Sequence, residues 1–190
     1  MRTRLLVFVA AVAIAVAILA SCDNEPEQNR SVVSVASLNE NTPLFSDVLD
    51  NGDSLTSTSD DAIFPDVIPV VFYNRPYNAI AATSPGEPFG DFLITRYTVD
   101  WTRTDGGSPA LPPLDMGVSI QVPTGEFVEG SIILVTHGNK SGSPLVELQL
   151  GGQISMNARI VFYGHELGTE RETEIEARLG VLFADLLETK

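Results

Sequence analysis

From residue 67 onward, the sequence consists of short apolar runs separated by proline, glycine, asparagine and aspartate. Such spacing is typical of an all-β domain built from many short strands. The longest clean alternation covers 92–103, so that segment is predicted to be a strand with one buried face and one wet face. The residues expected on the buried face are Leu93, Thr95, Tyr97, Val99 and Trp101. We therefore interpret Trp101 as a core residue, with a ligand-stacking role as the alternative.

Further segments show the same kind of pattern. Strands are predicted at 67–73, 116–122, 127–136 and 154–163. Each is bounded by residues that favour turns, such as the Pro123-Thr124-Gly125 sequence. Residues 145–150 are compatible with either a short helix or a strand.

The last segment, 172–187, fits two periods. A strand would place five apolar residues on one face, namely Ile175, Ala177, Leu179, Val181 and Phe183. A helix would align Ile175, Leu179, Leu182 and Leu186 instead. Gly180 would lie in the middle of that helix and would cost it about 1 kcal/mol relative to alanine. We therefore favour a strand.

Six or seven such strands predict an antiparallel β-sandwich of immunoglobulin-like (Ig-like) type, with about seven strands over residues 65–187. The chain has one cysteine, so these 190 residues form no disulfide among themselves. The cysteine pair of antibody domains is absent, and "Ig-like" is the appropriate term. The domain must depend on its apolar core for stability.

Residues 1–21 have the three parts of a secretory signal peptide. Two arginines occur within the first four residues, an uninterrupted apolar run covers 5–19, and the small residues Ala20 and Ser21 follow. A transmembrane helix needs about 20 apolar residues, and no basic cluster follows the run. A cleaved signal is therefore favoured over a permanent span.

The sequence Leu19-Ala20-Ser21-Cys22 directly follows the apolar run. It resembles the lipobox of bacterial lipoproteins. The resemblance implies cleavage before Cys22 and acylation of Cys22, with palmitate-type chains holding the protein on a membrane of the bacterial cell envelope, facing the periplasm or the exterior. Asp23 matches the enterobacterial signal for inner-membrane retention, but that rule is not general, so the inner and outer membranes both remain open. A free thiol is disfavoured by the polar neighbours of Cys22.

The charge of the chain restricts its partners. Removal of residues 1–21 takes away two arginines, and the mature chain would carry 9 basic and 25 acidic residues with a formal charge of −16. Such a surface repels phosphate backbones and anionic head groups. We therefore expect no nucleic-acid partner, and attachment to the membrane through the lipid on Cys22.

Two polar segments precede the predicted sandwich. Residues 22–42 lack a sustained period and are predicted to be a flexible tether. Residues 43–64 form an acidic loop segment rich in possible oxygen ligands: Asp47, Asp50, Asn51, Asp53, Asp60 and Asp61. Their spacing does not fit an EF-hand, so a solvated loop is expected and calcium binding is the alternative.

The search for catalytic patterns nominates no residue. His137 and His165 each lie beside glycine in predicted turns, and we expect both to be solvated. His165 and Glu166 are adjacent, so their side chains would point to opposite faces of a strand. Neither a nucleophile elbow nor a phosphate-binding loop is present. We therefore predict no catalytic residue, no metal ligand and no cofactor.

Three segments resemble uncharacterised bacterial lipoproteins with a C-terminal Ig-like domain. They are Gly90 to Tyr97, Ile160 to His165, and Phe183-Ala184-Asp185. The resemblance covers about residues 65–187 and implies a fold and an address without an activity.

The expected function is therefore that of a non-catalytic, lipid-anchored envelope protein. Its Ig-like domain would bind an envelope protein or a glycan, or serve as a structural module. One alternative is a small envelope hydrolase that uses loop carboxylates. Another is a calcium-stabilised spacer domain.

Overall fold

The alternating segments form eight strands in a computed structural model, which describes residues 31–50, 62–77, 90–169 and 171–185. The strands are β1 (Ser31–Leu38), β2 (Leu44–Asp47), β3 (Asp66–Pro76), β4 (Phe92–Arg103), β5 (Leu114–Val122), β6 (Phe127–Val135), β7 (Gln153–Glu166) and β8 (Glu172–Ala184). A short helix, α1 (His137–Lys140), and two 3₁₀ helices, Asn39–Asn41 and Leu145–Leu150, lie between them. The predicted signal peptide and Cys22 lie outside the described residues.

The strands form two sheets. The three-stranded sheet has the order β1-β3-β6, and the five-stranded sheet has the order β2-β8-β7-β4-β5. All pairs are antiparallel except β2 with β8, which is parallel. The chain passes from one sheet to the other between β1 and β2, so the first two strands are edge strands of different sheets. This order confirms the all-β, Ig-like sandwich, with eight strands in place of about seven.

The sandwich begins earlier than the sequence predicted. The tether expected over 22–42 is wrong for 31–41, where β1 pairs with β3 and the first 3₁₀ helix follows. Val33 and Val35 of β1 pack against the core, whereas Val32, Ser34 and Ala36 are exposed. Apolar residues therefore occur on both faces of β1, so the segment lacks the alternation of apolar and polar residues that predicts a strand.

The acidic segment predicted over 43–64 is also partly a strand, because β2 pairs with the last residues of β8. Asp50 and Ala62 form a backbone bridge, exchanging two hydrogen bonds of 2.9 Å. The residues between them lie outside the described ranges.

The final segment is a strand, as favoured, and β8 pairs with β7 along its length. The undecided segment at 145–150 is a 3₁₀ helix. The prediction that both histidines lie in turns is wrong, since His137 begins α1 and His165 lies within β7. Gly164 lies within β7, where its missing Cβ lets the backbone of β4 and the Phe92 ring approach closely.

The predicted buried face of β4 is correct only from Tyr97 onward. The pairing register of β4 shifts between Ile94 and Arg96 against both neighbouring strands, so Thr95 is the extra residue of a β-bulge. A bulge resets the alternation, which buries Phe92 and Ile94 and turns Leu93 away from the core. Trp101 is 8% exposed and belongs to the core, as predicted.

Aromatic packing and one hydroxyl join the two sheets. Phe72 of β3 meets Phe162 of β7 edge to face, with ring centroids 4.9 Å apart. The Tyr97 hydroxyl of β4 donates to the Ile133 carbonyl of β6 at 2.8 Å and accepts from the Ile133 amide at 3.1 Å. Burial raises the pKa of Tyr97, so the hydroxyl remains protonated and able to donate.

A buried lysine joins three elements at one end of the sandwich. The Lys140 side chain is 3% exposed, and its Nζ donates to Asp66 Oδ1 at 2.7 Å and to the Asp47 carbonyl at 2.6 Å. The other oxygen of Asp66 accepts from Ser46 Oγ at 2.6 Å. Because each buried charge has a close partner, α1, β2 and β3 are held in one arrangement.

Replacement of Lys140 by methionine would leave the largely buried Asp66 carboxylate, 15% exposed, without its cation. We expect Lys140→Met to lower the free energy of unfolding by about 3–5 kcal/mol, the usual result of removing one partner of a buried pair. Urea denaturation monitored by circular dichroism measures the change.

The control for this prediction is Arg178→Met, which removes an exposed pair with Glu176 and should change stability little. Equal effects of the two substitutions would show that the Lys140 pair is no more important than a surface ion pair.

Candidate interaction surfaces

The outer face of the five-stranded sheet is covered by exposed ion pairs. Arg159 lies 2.7 Å from Glu176 and 3.6 Å from Asp100, and Arg178 contacts the other oxygen of Glu176 at 2.9 Å. Hydrogen bonds from the two guanidinium groups lower the pKa of Glu176. The Arg96 guanidinium stacks 3.9 Å above the Tyr163 ring. These side chains satisfy one another, so this face is a solvated, charged surface.

The outer face of the three-stranded sheet is largely apolar instead. Tyr73 and Phe127 lie opposite each other on β3 and β6 and stack with ring centroids 4.4 Å apart. Phe127 is 65% exposed. Other apolar residues on this face are Val32, Val67, Pro69, Val71 and Ile133. A contiguous exposed apolar surface of this kind often marks a site of contact with another molecule.

Exposed apolar side chains also occur at both ends of the sandwich. We call the end where β1, β4, β6 and β8 begin the leading end, and the opposite end the trailing end. The leading end exposes Val32, Tyr77 and Phe127. The trailing end exposes Phe45, Phe64, Val67, Val146 and Leu150. Since β7 has 14 residues and a strand rises 3.2–3.4 Å per residue, the ends are roughly 45 Å apart.

Asn74 organises the leading end. Its side chain is fully buried, and Nδ2 donates to the Gly90 carbonyl at 2.7 Å and to the Val122 carbonyl at 2.9 Å. Its backbone carbonyl accepts from the Gly125 amide. Asn74 therefore ties the end of β3 to the beginning of β4 and to the turn after β5.

The Gly90 carbonyl, which accepts from Asn74, also holds Ser31, the first described residue of the chain. Ser31 is buried, and its Oγ donates to the Gly90 carbonyl at 2.9 Å. Gly90 has φ +105°, and a Cβ there would lie 2.7 Å from Thr124 Oγ1, so only glycine fits without a shift. Residue 31 therefore has a defined position at the leading end.

A cavity of about 410 Å³ opens between β1 and β8 at the leading end. Its lining residues are Ser31, Val32, Val33, Tyr77, Phe92, Arg171, Thr173 and Glu174. A volume of this size suits a small ligand. Among the described lining residues Glu174 is the one carboxylate, so these residues do not supply the carboxyl pair that the hydrolase alternative requires.

The histidines are not brought together. His137 lies at the trailing end, where its Nδ1 is 3.3 Å from Ser141 Oγ, and His165 lies near the leading end. Glu166 is 1% exposed whereas His165 is half-buried, which confirms that the adjacent pair points to opposite faces.

Within the described ranges, no group of three or more His, Cys, Asp or Glu side chains could hold a metal ion. Asp47 and Asp50 are the described members of the acidic segment considered for calcium; the other four residues named there, and Cys22, lie outside the described ranges. Among the described residues, no helix is long and apolar enough to cross a bilayer.

Sequence reasoning missed Asn74 and Lys140. Asn74 lies one residue beyond the strand predicted at 67–73, although Ile68, Val70 and Phe72 place every second residue inward and extending that period includes it. Lys140 gave no such signal, because it lies in a polar, turn-rich segment whose burial depends on contacts with β2 and β3.

The sequence matches no protein-family model, and comparison with curated proteins and with solved structures finds no significant match.

Removal of the Asn74 amide should loosen the leading end. We expect Asn74→Ala to lower the free energy of unfolding by about 1–3 kcal/mol, since the buried Val122 carbonyl loses its side-chain donor. Hydrogen exchange should also accelerate in the first residues of β1 and in the turn after β5.

Asn157→Ala is the matched control, since Asn157 is exposed on β7 and should have little effect on stability. If hydrogen exchange at the leading end were unchanged in Asn74→Ala, Asn74 would not be the residue that ties these segments together.

Proposed function

We propose that this chain is a lipid-anchored protein of the bacterial cell envelope whose Ig-like sandwich is a non-catalytic binding module. The observation that carries the proposal is the position of the lipobox-like sequence. It ends at Cys22, and the first strand begins nine residues later at Ser31. An acylated Cys22 would therefore be followed almost directly by a folded domain.

The short link supports a defined orientation. Nine steps from Cys22 to Ser31 span at most about 30 Å at 3.3–3.6 Å per residue. Ser31 lies at the leading end, where β3 and the Gly90 carbonyl hold it. The leading end would therefore stay near the membrane, and the trailing end would be free to face the periplasm or the exterior.

The trailing end is the better place for a partner protein. Phe45 is 63% exposed, Phe64 is 58% exposed and Leu150 is 96% exposed. Aromatic and other large apolar side chains at an accessible end are typical of protein-binding surfaces. The acidic charge of the chain favours a partner that is neutral or basic.

Lipidation is tested by comparing the wild type with a Cys22→Ala variant expressed in a bacterial host. We expect the wild type to lose residues 1–21, gain acyl mass and partition with membranes, because the acyl chains supply its attachment. The variant should do none of these. Intact-mass spectrometry and membrane fractionation measure both properties, and a soluble, unmodified wild type would contradict the proposal.

The binding surface is tested with a photo-crosslinking amino acid placed at Phe45 or Phe64 in the native host. We expect a discrete protein adduct at these positions and none at Asn157, which is exposed on the charged face. A Leu150→Ser substitution should reduce the adduct formed at Phe45 or Phe64 if these side chains share one partner. Equal labelling at Asn157 would show that the trailing end is not the preferred surface.

A further inference from the structure

We propose that the leading end rests on the lipid surface through an apolar rim made of Val32, Tyr77 and Phe127. The inference depends on the proposed anchoring at Cys22 and adds a second, direct contact between the folded domain and the bilayer. It assigns the exposed apolar surface of the leading end to lipid.

The rim consists of side chains that the domain itself does not cover. Tyr77 is 74% exposed, Phe127 is 65% exposed and Val32 is 41% exposed. Phe127 stacks on Tyr73, which supports its ring from one side and leaves the other side open. A supported, exposed aromatic ring can enter an interface without losing much side-chain freedom on binding.

The chemistry of the rim fits the head-group region of a bilayer. Tyrosine and phenylalanine both present a large apolar surface, and the hydroxyl of tyrosine can remain hydrated. Aromatic residues are enriched at membrane interfaces. Arg75 is exposed and lies opposite Val32 in the pairing of β1 with β3. Its guanidinium can reach head-group phosphates while its stem packs along apolar surface.

The length of chain outside the domain determines which surface meets the lipid. Eight residues separate Cys22 from Ser31, and Val32 is the next residue of β1. Anchoring keeps the rim at a high effective concentration next to the bilayer, so a contact too weak to bind alone becomes populated. Phe45, which is about as exposed as Phe127, lies at the trailing end, and the strand rise places it roughly 45 Å away.

The chain offers a direct test, because Cys22 is its one cysteine and acylation consumes that thiol. An introduced cysteine is then the single free thiol, which a nitroxide label can modify. Labels are placed at Tyr77→Cys or Phe127→Cys, with Phe45→Cys as the control, since Phe45 and Phe127 are 63% and 65% exposed. The acylated full chain is reconstituted into phosphatidylcholine vesicles.

Electron paramagnetic resonance then compares collisions of each label with oxygen, which concentrates in lipid, and with a water-soluble nickel chelate. We expect reconstitution to lower nickel accessibility severalfold at positions 77 and 127 and to leave position 45 unchanged. Nickel accessibility at 127 equal to that at 45 would overturn the inference.

A third label position guards against the loss of the aromatic rings themselves. A label at Val32→Cys keeps Tyr77 and Phe127, and reconstitution should protect it. Substitution of both rings by serine should restore its exposure to nickel, and persistent protection would show that the rings are not the contact.

The same samples separate this inference from the proposed function. Chains that fail to float with the vesicles would contradict the lipid anchor itself. Chains that float while the labels at 77 and 127 stay accessible to nickel would contradict the docking alone.

Discussion

The structure depends on one apolar layer between two sheets, because a chain with a single cysteine cannot reinforce the sandwich with an internal disulfide. Phe72 and Phe162 meet across this layer, and the Tyr97 hydroxyl adds a two-way hydrogen bond to the backbone of Ile133. The two hydrogen bonds of this buried hydroxyl are directional, whereas the apolar attraction of the core is not. The relative position of the two sheets is thereby fixed.

Each end of the layer is closed by a buried polar group. Lys140 holds α1 against β2 and β3 at the trailing end, and Asn74 joins β3 to the segments around β4 and β5 at the leading end. Burying such groups without hydrogen-bond partners is costly, so the bonds donated by Lys140 Nζ and Asn74 Nδ2 favour one arrangement of the connecting segments. A defined leading end would matter for the proposed anchoring, because Ser31 lies there and the lipobox-like sequence precedes it in the chain.

Period-2 alternation was sufficient to predict the sandwich, including β8, whose sequence also fits a helix. It failed where local geometry departs from regular pairing. The bulge at Thr95 changed which residues of β4 face the core, and the residue types there do not indicate a bulge. β1 was missed because its apolar residues lie on both faces and so do not alternate with polar ones, and Lys140 was missed because its burial is set by distant segments. The apolar rim could be read only after the pairing of β3 with β6 brought Tyr73 beside Phe127.

In the proposed arrangement, lipid on Cys22 holds the folded domain close to a membrane by its leading end. Neutron reflectometry of the acylated protein on a supported bilayer measures the thickness of water between the head groups and the protein layer. The account predicts protein density that starts next to the head groups, well within the roughly 30 Å that nine extended residues can span. A protein layer separated from the bilayer by a wider hydrated gap, or no layer at all, would contradict it.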